Sequence, residues 1–140
     1  MLGALLGALA GARPLWAEPH VDYMLECQGC HLSDGSGSPG AVPDLRGSLG
    51  RFLQVPGGRA YLVQVPGSAT SRLSDPALAA VLNWMIARFG PASVAASFEP
   101  YTGAEVGGLR VRPLVEVDQR RAALLRALAE AGSAPAAELD

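Results

Sequence analysis

Cys27-Gln28-Gly29-Cys30-His31 decides how this chain is read. Two thiols three positions apart project from about one helical turn, and the histidine beside the second can turn its imidazole toward whatever the thiols hold. Cys-x-x-Cys-His is the attachment signature of c-type haem: the thiols reach the vinyl groups on one ring edge and the imidazole takes the iron as proximal ligand. These are the only two cysteines of the chain, and His31 is one of two histidines. A redox dithiol of thioredoxin type expects a βαβ setting, and none is visible nearby. Structural zinc needs four ligands, and there is no second Cys/His pair to complete them. A disulfide between Cys27 and Cys30 would close a very small loop and constrain little. The spacing favours one covalent haem c, with its iron on His31.

The first seventeen residues agree with that chemistry. An apolar run from Leu2 to Ala12 is followed by Pro14 and a small residue at Ala17. This reads as a secretory signal peptide over residues 1–17, cut after Ala17, with a rival cut after Ala12. No Lys or Arg precedes the run; the nearby Arg13 lies behind it. The run is too short to span a membrane, which takes about 20 apolar residues. Covalent haem attachment to exported chains occurs outside the cytoplasm, so the expected location is the periplasm.

At 140 residues the chain holds one small domain with a modest core. Its basic residues are all Arg, its net charge is −2, and no long basic run occurs, so nucleic acid is not an expected partner. Scattered Ser, Asp and Glu assemble into no hydrolase motif.

Along the chain, Val21 to His31 reads as a first helix, with Val21, Met24, Leu25 and Cys27 roughly on one side. From Leu32 to Gly50 the composition turns to Ser, Gly, Asp and Pro, which is loop chemistry. The segment from Arg59 to Val65 reads as a short helix, with an extended strand as the alternative. Ser74 opens the clearest helix, with Asp75 and Pro76 in its first turn and an apolar stripe of Leu78, Val81, Leu82, Met85 and Phe89. Gly90-Pro91 stops it. Thr102 to Glu105 has capping-box spacing for a brief helix, and Asp118 can cap a last helix from Gln119 to about Ala131. The class is all-α.

With the motif and this helix order together, the chain resembles the class I monohaem cytochromes c. Beyond Cys27, Cys30 and His31, the segment Pro43-Asp44-Leu45-Arg46-Gly47 matches the family's Pro-x-Leu-x-Gly. Leu73-Ser74-Asp75 resembles the start of the family's C-terminal helix. The resemblance implies a small helical fold around one covalent haem over residues 18–90. Residues 91–140 are then an extension of two added helices packed on the same domain. It implies that the Pro43 carbonyl accepts a hydrogen bond from His31, that Leu45 packs on the ring, and that Trp84 packs on the first helix. It implies an electron carrier rather than an enzyme, working between a dehydrogenase donor and a cytochrome or oxidase acceptor.

The family's distal methionine has no counterpart in place: Val65-Pro66-Gly67-Ser68-Ala69-Thr70 contains neither Met nor His. By elimination Met85 is the leading second ligand. Packing of Met85 with an open iron, and ligation by His20, are the alternatives; Met24 lies on the proximal helix. An open iron would make a gas- or peroxide-binding protein, though no spare His serves as acid/base. A haem-bearing subunit docked on a dehydrogenase or respiratory complex is the other competing role. Arg46, Arg51 and Arg59 are available to hold a propionate.

Overall fold

Two helices carry the frame: α1 (Pro19–Glu26) and α5 (Asp75–Phe89) cross with their aromatic residues interleaved. The computed structural model describes residues 18–94 and 98–132. The expected signal peptide and the tail from residue 133 lie outside the described residues. Pro19 occupies the first turn of α1, where a missing N–H costs nothing. The side shared by Val21, Met24 and Leu25 is not the inward one; all three are exposed. Tyr23 turns inward instead and is 0% exposed, with Asp22 buried beside it. One aromatic ring buries more area than a Val or Leu and has matching partners across the seam. Its centroid lies 5.2 Å from that of Trp84 and 5.4 Å from that of Phe89.

The first helix is also not continuous. Cys27, at φ −123° and ψ −37°, interrupts it, and a single turn, α2 (Gln28–His31), follows. Gly29 in the middle of that turn lowers its helix propensity. Leu32 then takes φ 54° and ψ 175°, a region that side chains rarely adopt, and reverses the chain. The polar loop after it is pinned to the end of α5. Gly35, at φ +81°, lies so close to Phe89 that an added Cβ would sit 2.6 Å from the ring. The Gly47 N–H donates to the Phe89 carbonyl at 2.7 Å.

A 3₁₀ turn over Leu49–Gln54 buries Leu49 and Phe52, although its composition is turn-like. The segment after it settles as helix rather than strand: α3 (Gly58–Gln64) buries Tyr61, Leu62 and Val63. One further turn, α4 (Pro66–Ala69), leads to α5, whose Ser74 hydroxyl accepts the Ala77 N–H at 3.4 Å. The stripe Leu78, Val81, Leu82, Met85 and Phe89 is buried as the spacing requires.

After a second 3₁₀ turn at Pro91–Ser93, α6 (Gly103–Arg110) packs on α5 and α3. Then α7 (Val117–Glu130) packs on α3 and the 49–54 turn through Leu124 and Leu128, one helical turn apart and both 2% exposed. Asp118 sits in the first turn of α7 rather than capping it. The Asn83 amide secures the extension: its Oδ1 accepts the Tyr101 N–H at 2.8 Å and its Nδ2 donates to the Tyr101 carbonyl at 3.0 Å.

Thr102 caps α6 by accepting the Glu105 N–H at 3.2 Å, but the Glu105 carboxylate does not close a capping box. It takes a two-pronged hydrogen bond from Arg59, whose guanidinium also lies 4.0 Å from the Tyr101 ring centroid. The Arg59 hydrogen bond, more than its charge, holds the Glu105 carboxyl below the ordinary range. A lowered carboxyl pKa stabilises the fold above the unfolded value, about 4.3, and that contribution disappears as pH falls through the folded value. Acid unfolding followed by circular dichroism should therefore begin at higher pH in Glu105→Gln than in the parent protein.

Candidate haem site

The site grows from the break at Cys27. Helix α1 places Tyr23 one turn ahead of the first thiol. Its hydroxyl donates to the Leu32 carbonyl at 2.5 Å and, more weakly, toward the His31 carbonyl at 3.3 Å. This bond caps the motif turn from below and holds the unusual backbone of Leu32. Burial, then the nearby Cys27 and Asp34, push the Tyr23 hydroxyl up to about 12, so it remains a donor through the physiological range.

Neither thiol is in a disulfide; Cys30 is exposed and Cys27 half-buried. Burial, reinforced by Glu26 and Asp22, pushes the Cys27 thiol up to about 11. His31 is half-buried, and its Nδ1 is sealed from solvent without a hydrogen-bond partner of good geometry. Burial lowers its pKa, and the Pro43 main chain beside it acts in the opposite direction. A half-buried imidazole with a sealed Nδ1, following two unlinked thiols on one turn, is a donor set suited to a ring-bound iron. Among the described residues no cluster of three or more His, Cys, Asp or Glu could hold a bare ion.

The remaining residues singled out from the sequence separate. Pro43 is exposed, and Leu45 is buried in the main core. Met85 is 7% exposed within the same core. Met24 is 49% exposed on α1, and His20 stacks on Trp84 at 5.3 Å. Two of the arginines considered for propionates are already paired: Arg46 with Asp44 and Asp34, Arg59 with Glu105.

The most heavily engaged side chain near the site carries no signal in the sequence. Arg110, at the end of α6, reaches back to the connection between α4 and α5. Its Nη1 donates to the Leu73 carbonyl at 2.7 Å and to Asp75 at 3.1 Å. Its Nη2 donates to the Ser71 carbonyl at 2.6 Å, and Nε to the Ala69 carbonyl at 3.2 Å. The same connection touches α1 where the Arg72 N–H and Nε donate to Glu26 at 3.2 and 3.3 Å. Nothing in local sequence pattern marks contacts that join residues 35 to 41 positions apart.

No protein-family model matches the chain. The chain is 35% identical over 128 residues to a cytochrome c-552 of Thermus thermophilus, covering 79% of this chain and 84% of that protein. It is 36% identical over 107 residues to a second Thermus thermophilus cytochrome c-552, covering 64% of this chain and 82% of that protein. Identity at this level, over most of both chains, joins an all-helical fold in which the Cys-x-x-Cys-His turn is braced from below. The chain belongs to the class I monohaem cytochrome c family, whose members carry one covalent haem c.

Proposed function

We propose that this chain is an exported carrier of single electrons, with Cys27 and Cys30 as the thioether anchors of the haem and His31 as its proximal ligand. The observation that carries the reading is the braced turn, in which two free thiols precede an imidazole whose buried Nδ1 has no strong partner. A haem bound there would supply a one-electron redox change. Everything else is positioning by the chain. The two cysteines fix one ring edge. In this reading the Pro43 carbonyl, whose main chain lies beside His31, would accept from Nδ1 and raise the basicity of the ligating nitrogen. Little has to move when charge arrives in such a setting, because Tyr23 and Arg110 already restrain the backbone on two sides.

Residues 1–17 direct export, and the periplasm is the working compartment. Among the described residues no helix is long and apolar enough to cross a membrane. The donor would be a dehydrogenase and the acceptor another cytochrome or an oxidase. Val21, Met24 and Leu25 form an exposed apolar face on α1, directly ahead of the haem turn. That face also suits a second role, as a haem-bearing subunit seated on a dehydrogenase or respiratory complex. Size-exclusion chromatography with such a partner separates the two, since a free carrier elutes alone.

Intact mass spectrometry of the mature polypeptide is the direct test. The expected mass is that of the chain starting at Glu18 plus one haem, and Cys27→Ala/Cys30→Ala should return it to the bare chain. A bare chain from the unaltered gene would end the proposal.

A further inference from the structure

An iron held by His31 needs a second axial ligand if it is to be closed, and side chains that bind haem iron firmly are few. They are imidazole, thioether, amine, thiolate and phenolate. The chain has no Lys, and its two cysteines are the ring anchors. Of the three tyrosines, Tyr23 is committed to the Leu32 carbonyl. Tyr101 donates to the Arg59 carbonyl at 2.8 Å, and Tyr61 is buried with its hydroxyl pKa raised by burial. His20 belongs to α1, stacked on Trp84.

That leaves thioethers, of which Met1 falls in the segment read as the signal peptide. Met24 rises from α1 on its solvent side, on the helix that already presents the thiols. Met85 lies within the buried arc of α5, between Val81 and Phe89 on the helical wheel. A side chain that reaches a prosthetic group must have surface to give to it. Met85 has 7% outside its contacts with protein, and every residue of the stripe it belongs to is similarly enclosed.

The connection ahead of α5 offers no substitute. From Val65 to Ser74 it contains no Met, His, Lys, Cys or Tyr. Nor can it swing across as a mobile strap, because Arg110 holds three of its carbonyls.

We infer that the second axial position of this chain's iron is filled from outside the chain, by a small exchangeable ligand: a neutral diatomic molecule in the ferrous state, or imidazole in the ferric state. This rests on the haem reading above and adds a binding activity to it. Ligand exchange at such an iron involves no net transfer of electrons. Peroxide chemistry is a different matter, since it wants an acid/base group near the iron, and the one other imidazole is engaged with Trp84.

The test uses the purified, haem-loaded protein. Intact mass and an alkaline pyridine spectrum first establish the covalent haem; failure at that step sinks the haem reading and this inference with it, whereas a loaded protein that ignores carbon monoxide sinks this inference alone. Carbon monoxide is then titrated into the reduced protein. The expected result is full conversion to a carbon monoxide spectrum, with no sulfur-ligation band in the near infrared of the oxidised form. Imidazole added to the oxidised protein should convert it to a low-spin spectrum. Met85→Leu and His20→Ala should each bind carbon monoxide within about threefold of the parent, since Leu conserves the volume of Met. A reduced spectrum unchanged at saturating carbon monoxide overturns the inference. So does a sulfur band that Met85→Leu abolishes, or a carbon monoxide affinity that His20→Ala raises more than about tenfold. Should Met85→Leu fail to fold, the titration of the parent protein decides alone.

Discussion

Tyr23→Ala should cost about 4 kcal/mol of folding stability, the range for deleting a fully buried aromatic side chain. The residue is 0% exposed and joins α1 to α5 through two ring contacts, with Trp84 and with Phe89. Truncation opens a cavity that neither neighbouring ring can fill, because Trp84 is also stacked on His20 and Phe89 is packed over Gly35. Tyr23→Phe separates packing from hydrogen bonding. It keeps the rings and removes only the donor to Leu32, so the expected loss is about 1.5 kcal/mol. Denaturant titration of the haem-loaded proteins checks both values. A phenylalanine variant as damaged as the alanine variant would show that the hydroxyl, not the ring, supports the motif turn.

Arg110→Ala should cost about 3 kcal/mol, for a different reason: it leaves the carbonyls of Ala69, Ser71 and Leu73 short of a partner, and each carries a desolvation cost of about 1 kcal/mol when it stays enclosed. The side chain is 14% exposed and donates to those three carbonyls and to one carboxylate. Arg110→Lys should recover less than half of the loss, because a single ammonium cannot reproduce the planar fork that meets carbonyls on both sides. The midpoint of a denaturant titration reads the effect, and a lysine variant equal to the parent would overturn this account.

The contrast between these two residues shows what local pattern can and cannot disclose. The Cys-x-x-Cys-His turn, the long α5 with its Ser74 cap, and the stop at Gly90-Pro91 are all legible, because each depends on residues within one or two turns. Helix α1 is legible in its place but not in its facing. Val21, Met24 and Leu25 have apolar spacing, yet the area of one tyrosine ring, matched by Trp84 and Phe89, outweighs three smaller chains. The break at Cys27 and the 3₁₀ turn at Leu49–Gln54 are hidden, since both are set by what the backbone closes against. Arg59 illustrates the same limit in the site. By sequence its guanidinium is available for a propionate, and the partner it has, Glu105, lies 46 positions away. Elimination over the sequence ranks Met85 as an iron ligand. In the structure its side chain is 7% exposed within the core, a fact that elimination does not include.

The added C-terminal helices bury their apolar side chains against the chain's own core, with Val106 at 0% and Leu124 and Leu128 at 2% exposure.

Arg110 gives the extension a further consequence. The segment from Ala69 to Asp75 lies next to Glu26, the residue immediately before the first thiol, and it is held in place from α6. It cannot open while α6 stays docked, and it loses its strongest restraint when α6 departs. Local opening events therefore do not stop at the boundary between the haem-bearing part and its appendage. The two breathe together as one cooperative unit, and a chain trimmed of its last helices would be loosened at the edge of its redox centre as well as at its end.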